Sequence, residues 1–108
     1  MVKLVALYKK PADIAAFEEH YHKIHMPLTE KIPGLKHVEL SKFTGSPMGE
    51  SEYYMMAEMY FDSMEALKAG MSSAEGRASG KDLMSFAKEL VTMMFAEVEE
   101  KVLATTAV

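Results

Sequence analysis

The sequence predicts an α+β fold built in the order β-α-β-β-α-β, and three patterns along the chain predict it. Residues 2–8, 35–43, 53–61 and 91–98 alternate or run apolar over strand lengths. Between the first and second of these, Ile14, Phe17, Tyr21, Ile24 and Leu28 recur at helical spacing. Between the third and fourth, Leu83, Phe86, Ala87 and Leu90 recur at i, i+3, i+4 and i+7. The expected product is a four-stranded antiparallel sheet with helices on one face.

The first strand sets Val2, Leu4, Ala6 and Tyr8 against Lys3, Val5 and Leu7. Both sets are largely apolar, which places this strand centrally with cover on each side. Residues 9–13 form a turn in which Pro11 or Asp13 opens the first helix. Pro27 lacks an amide hydrogen and biases Met26 away from helical geometry, so that helix should end close to His25. Ile32-Pro33-Gly34 then breaks the chain before a second strand with Val38 and Leu40 on one side and His37, Glu39 and Ser41 on the other. Residues 44–51 are polar and serve as the hairpin connection. In the third strand Tyr53, Met55, Ala57, Met59 and Phe61 share a face, while Tyr54, Met56 and Tyr60 surround Glu58 on the other.

Asp62-Ser63-Met64-Glu65 matches a capping box with Asp62 as the cap. It opens a short helix that Gly70 should stop, followed by a second cap at residues 72–75 and a loose stretch from Gly76 to Gly80. The helix around Phe86 and a final strand, Val91 to Val98, complete the order. This is the split βαβ of ferredoxin-like folds. That layout leaves one sheet face uncovered, and strands one, three and four carry apolar side chains on both faces. Such a face does not stay in water in a lone subunit, so a two-fold homodimer burying sheet against sheet is expected.

Chemistry concentrates in Phe17-Glu18-Glu19-His20-Tyr21-His22-Lys23-Ile24-His25-Met26-Pro27. Measured from the middle of the apolar stripe, His25 sits roughly 60° away, His20 roughly 85° and His22 roughly 115°. His25 is thus the histidine nearest the interior, on a ridge with Tyr21, and His22 is solvated. In a last helical turn, His25 would face unpaired carbonyls that favour its protonated form. Two readings stand at this point: a half-buried histidine bonded to a backbone carbonyl, or a general base in a cleft. Glu58, ringed by tyrosines and methionine, points either to solvent or to a partner; if buried, a histidine or lysine should lie beside it.

Composition excludes several classes. A chain of 108 residues makes one domain, 1–108, with an ordered core over about 2–98 and a patternless tail, 99–108, that frays or reaches a partner subunit. No apolar run is long enough to cross a bilayer, and Val2 to Tyr8 reads as a strand and not a signal peptide. The absence of cysteine excludes disulfides and thiol catalysis and fits a cytoplasmic protein. A net charge of -4 without a Lys/Arg cluster argues against nucleic acid. His22 and His25 form H-x-x-H, yet no second ligand cluster accompanies them, so no metal is expected. The 11 methionines suit an irregular core or a pliable apolar pocket.

His20-Tyr21-x-x-x-His25-x-Pro27-Leu28 resembles the EthD family of the dimeric α+β barrel superfamily. Ile32-Pro33-Gly34-Leu35, the stretch from Ala57 to Leu67, and Asp82-Leu83-Met84-Ser85-Phe86-Ala87 are similar in the same order, covering nearly the whole chain. The resemblance implies a ferredoxin-like subunit, a homodimer, and a pocket between sheet and helices. Family members are associated with ether-degradation gene clusters. The superfamily includes cofactor-independent monooxygenases, polyketide cyclases and muconolactone isomerase. His25 matches the family's helix-terminal histidine and Tyr21 its aromatic neighbour, while Tyr60 stands where relatives often carry Trp. The expected site is His25 as base, with Tyr21, Tyr54, Glu58, Tyr60 and Phe86 around a small hydrophobic or phenolic ligand, and no cofactor. The alternatives are a non-catalytic binding or accessory dimer and, further off, haem held by an axial histidine.

Overall fold

The computed structural model describes residues 1–104. Strand β1 is Val2–Lys9, helix α1 is Ile14–His20, and it runs on through a π-helical segment, Tyr21–His25, into α2, Met26–Thr29. Strands β2 (His37–Lys42) and β3 (Tyr53–Phe61), helices α3 (Met64–Ser72) and α4 (Ala74–Ala87), and strand β4 (Val91–Glu97) follow. All pairings are antiparallel and the strand order is β2-β3-β1-β4, so β1 is central. Residues 98–104 are without regular structure and exposed. The remainder of the tail lies outside the described residues.

Alternation within the sheet sorts side chains as period two requires. Val2, Leu4, Ala6 and Tyr8 of β1 oppose Phe61, Met59, Ala57 and Met55 of β3, and this layer is buried beneath the helices. Phe17 and Tyr21 come down on it from α1 and the π segment, Leu67 from α3, and Leu83 and Ala87 from α4. Tyr8, Phe17, Tyr21 and Phe86 form an aromatic cluster, with Tyr8–Phe17 and Phe17–Phe86 centroids 5.5 and 5.6 Å apart. Each such pair contributes roughly 0.5–1.5 kcal/mol beyond its buried area. The opposite face divides in two: Val5, Leu7, Met56 and Met94 are apolar, whereas Lys3, Glu58, Tyr60, Glu39 and His37 form a polar band.

Several sequence expectations are corrected. The first helix does not end near His25; Pro27 lies in the first turn of α2 and the helical run continues to Thr29. The π segment explains this. The Met26 amide reaches the carbonyl of Tyr21, five residues back, so the turn is widened by one residue just where the proline ring would meet the carbonyl four residues behind it. The extra residue also moves the inward row on by one position. His25 and Thr29 take the buried places that regular spacing assigns to Ile24 and Leu28, and Ile24 is left 48% exposed.

The cap of α3 is Ser63 and not Asp62: Ser63 Oγ accepts from the Ala66 amide at 3.1 Å, and Asp62 faces Lys36. Gly70 does not stop α3, and Gly76 to Gly80 is helical. Both corrections have one cause. A Cβ on Gly76 would drive into the Gly70 carbonyl and the Met71 backbone, and one on Gly70 into the Pro33 carbonyl. These glycines are where two helices and a loop touch backbone to backbone, not helix breakers. Finally, the β1–β3 register slips beside Lys9, which pairs with Tyr53 and leaves Tyr54 as the extra residue of a bulge. The bulge re-aims Tyr54 to the helix side, away from the face shared by Met56, Glu58 and Tyr60.

Candidate active site

His25 is 5% exposed, and its ring is held at both nitrogens. Nδ1 lies 3.0 Å from Asp82 Oδ2, and Nε2 lies 3.4 Å from Thr29 Oγ1, which is 2.9 Å from Ser79 Oγ. An ionised carboxylate only accepts, so Nδ1 carries the hydrogen and Nε2 presents its lone pair. Asp82 and Ser79 sit three residues apart on one face of α4, and the buried row of the first helical run supplies His25 and Thr29. Phe86 and Tyr21 flank the imidazole, with centroids 5.4 and 5.3 Å from it.

This cluster opens onto a cavity of about 260 Å³ between sheet and helices. Val38, Met59, Met71, Met84 and Met93 supply apolar walls, and Tyr8, Tyr21, His25, Thr29 and Ser79 supply polar atoms. No Lys or Arg lines it among the described residues. Burial lowers the His25 pKa below its ordinary value, against the opposing pull of Asp82, which favours the neutral imidazole. That reverses the expectation of a protonated histidine in a last turn: the helix continues past it, so no unpaired carbonyls gather there. Burial pushes the Tyr21 phenol up to about 12, opposed by a hydrogen bond from Tyr8, and raises the Tyr8 phenol further, so both stay protonated donors.

Chemically, Asp82 fixes the tautomer, His25 can take a proton at Nε2, and nearby hydroxyls can hydrogen-bond an oxygen anion. Thr29, His25 and Asp82 also have the connectivity of a nucleophile–base–orienter triad. A nucleophilic role needs free backbone amides to receive an oxyanion, and Thr29 and Ser79 lie inside helices whose amides are committed. Proton transfer is the better match. Among the described residues, no group of three or more His, Cys, Asp or Glu is arranged to hold a metal ion. His22 turns instead to Glu18, 3.2 Å away.

Of the residues singled out from sequence, His25 and Tyr21 line the cavity and Phe86 backs the His25 ring. Tyr54 lies apart from it, hydrogen-bonded to Glu18, whose other oxygen accepts from Lys42 at 2.9 Å. Glu58 and Tyr60 are on the far face of the sheet, where Glu58 is buried beside Lys3 and the Lys3 ammonium sits 5.4 Å over the Tyr60 ring. Sequence reasoning missed Asp82, Thr29 and Ser79 as site residues. A conditional signal existed for Thr29, four residues beyond His25 on a helix that was taken to have ended.

Together, the fold and the site define a ferredoxin-like subunit whose helix-side cavity is served by a histidine–aspartate pair. The chain belongs to the EthD domain family, whose profile matches residues 9–89. It is similar to an EthD family protein of Bacillus halodurans, whose crystal structure superposes with a TM-score of 0.89 at 54% identity, covering 92% of this chain and 99% of that one. An uncharacterised 11.0 kDa protein in the thcB-thcC intergenic region of Rhodococcus erythropolis is 36% identical over 99 residues, 92% of this chain and 96% of that protein. A dimeric ferredoxin-like protein of unknown function from Jannaschia shares the fold, with a TM-score of 0.67 at 14% identity over 91% of this chain and 100% of that one. No helix among the described residues is long and apolar enough to cross a membrane.

Proposed function

We propose that this protein binds a small, neutral, mostly apolar molecule in the helix-side cavity, and that His25 removes a proton from it. One observation carries this reading: His25, held by Asp82 through Nδ1, lies in the wall of an apolar cavity. The absence of Lys and Arg from its described lining favours an uncharged ligand over a carboxylate or phosphate. A carbon or hydroxyl acid next to a carbonyl or an aromatic ring is the class that fits, because its proton is within reach of an imidazole.

In the reaction, Nε2 takes the proton, and Asp82 stabilises the imidazolium without accepting the proton itself. Charge that develops on the ligand oxygen is met by hydrogen bonds from Thr29, Ser79 or the Tyr21 phenol. Tyr21 orients the ligand and Phe86 holds the imidazole ring; Tyr54, Glu58 and Tyr60 take no part. The enolate or phenolate then either attacks a carbonyl within the same molecule, as in a cyclase, or reacts with dioxygen, as in a cofactor-independent oxygenase. The working unit in this reading is a homodimer that covers Val5, Leu7, Met56 and Met94 on the open sheet face.

The test is His25-dependent exchange of an acidic C–H proton of the ligand for deuterium, measured by NMR over a panel of neutral ketones and β-dicarbonyl compounds. His25→Ala is expected to lower the exchange rate by about 10²–10⁴-fold while ligand affinity changes little. Ligands that bind in the cavity of the parent protein yet never exchange above buffer would support the binding-protein alternative. Sedimentation at micromolar concentration checks the dimer, and a monomer there ends that part of the reading.

A further inference from the structure

Asp82 serves two imidazoles. Its Oδ2 lies 3.0 Å from His25 Nδ1 and 3.1 Å from His20 Nε2, while Oδ1 lies 2.9 Å from the same His20 nitrogen. The three side chains grade outward, with 7% of the His25 side chain exposed, 13% of Asp82 and 28% of His20. Phe86 braces both rings, its centroid 4.2 Å from that of His20 and 5.4 Å from that of His25. His20 does not line the cavity. It borders shallow surface hollows shared with Asp13 on one side and with Glu19 and Lys23 on the other.

One carboxylate can compensate one imidazolium. Two imidazolium rings around Asp82 would leave a net positive charge in a partly buried site, which low polarity makes costly. The two histidines therefore compete for the same negative charge. We propose that His20 is a positioning residue that sets the base strength of His25 by sharing its aspartate. With His20 neutral, the whole Asp82 charge is available to support a proton on His25, and the base is strong. With His20 protonated, Asp82 is already neutralised and proton uptake at His25 is opposed. The groups that face His25 are Asp82 and the Tyr8 and Tyr21 phenols; those that face His20 are Asp82 and, across the hollows, Asp13, Glu19 and Lys23.

The proposal rests on His25 as the base, but its test needs no substrate. The ring nitrogens of His20 and His25 are followed by nitrogen-15 NMR across the acid-to-neutral range in the full-length, ligand-free protein. In the parent, the His25 ring should titrate over two steps, as a site coupled to a neighbour does. In His20→Gln, whose amide still donates to Asp82, His25 should titrate in a single step with proton affinity raised by about tenfold. In an Asp82→Asn background, where only direct repulsion between the rings is left, His20→Gln should move His25 by much less. If His20 only ties α1 to α4, His20→Gln will lower the melting temperature and leave the His25 titration unchanged, and that result overturns the proposal. Deuterium exchange of a ligand proton then still reports on His25 by itself, so the two readings fail separately.

Discussion

Two carboxylates are sunk into this small molecule on opposite sides of one sheet, and they behave differently because of their partners. Glu58, on the open face, is paired with Lys3, a cation that keeps its charge through the whole neutral range. Asp82, on the helix side, is paired with two imidazoles, side chains that carry a charge only when protonated. The first is a fixed ion pair among strands; the second is a proton-holding site beside an apolar cavity. A buried acid is therefore weak evidence of chemistry until its partner is known.

The sharpest way to break the contrast is Asp82→Asn. Its amide is uncharged and, with Nδ2 turned to His25, offers a donor where a carboxylate now accepts, which favours the Nε2–H tautomer and removes the support for a proton on the ring. Ligand-proton exchange should fall by about 10²–10⁴-fold, with circular dichroism showing the fold retained. Next in size is Gly76→Ala, which pushes the start of α4 off α3 and carries Asp82 and Ser79 with it while leaving Glu58 in place. Urea denaturation should show a loss of about 3 kcal/mol, together with a weakened site. Lys3→Met strands the Glu58 carboxylate and should cost about 1–3 kcal/mol without changing ligand-proton exchange.

The smallest effect separates the two sites by pH. His25 has a folded pKa lowered by burial, so its share of stability is intact above the unfolded value of 6.5. That share is lost as pH falls below 6.5 and levels off beneath the folded value. Lys3 has its pKa raised by the hydrogen bond to Glu58, so its share is complete below 10.5 and is lost as pH rises through the raised value. Denaturation midpoints should therefore slope on the acid side because of one site and on the alkaline side because of the other. His25→Gln should flatten the acid slope and Lys3→Met the alkaline one.

The strands and their order were legible because a period of two survives in the sequence, and the lysine expected beside a buried Glu58 is Lys3. His25 was legible as the inward histidine. What surrounds it was not, for three physical reasons. A π turn adds one residue that no 3.6-residue template registers, so Thr29 was set outside the helix. Gly76 and Gly80 look like loop residues, yet both lie within α4, where Gly76 lets the start of the helix run backbone to backbone against Gly70 and Met71 at the end of α3. That disguise hid the helix phase that aims Ser79 and Asp82, the latter 57 residues from its histidine, at the site. Tyr54 was assigned to the wrong face because a bulge breaks alternation without a glycine or proline to mark it.

The wide turn of the first helix also makes one amino acid supernumerary. Cutting out Lys23, whose side chain is 73% exposed, would let the segment close into ordinary α-helix while Phe17, Tyr21, His25 and Thr29 still formed a single row. Such a shortened protein would part the residue from its setting. If the proposed proton exchange survived, the swollen coil is a scar of an ancient insertion; if ligand bound but did not exchange, the swelling itself aims the ring.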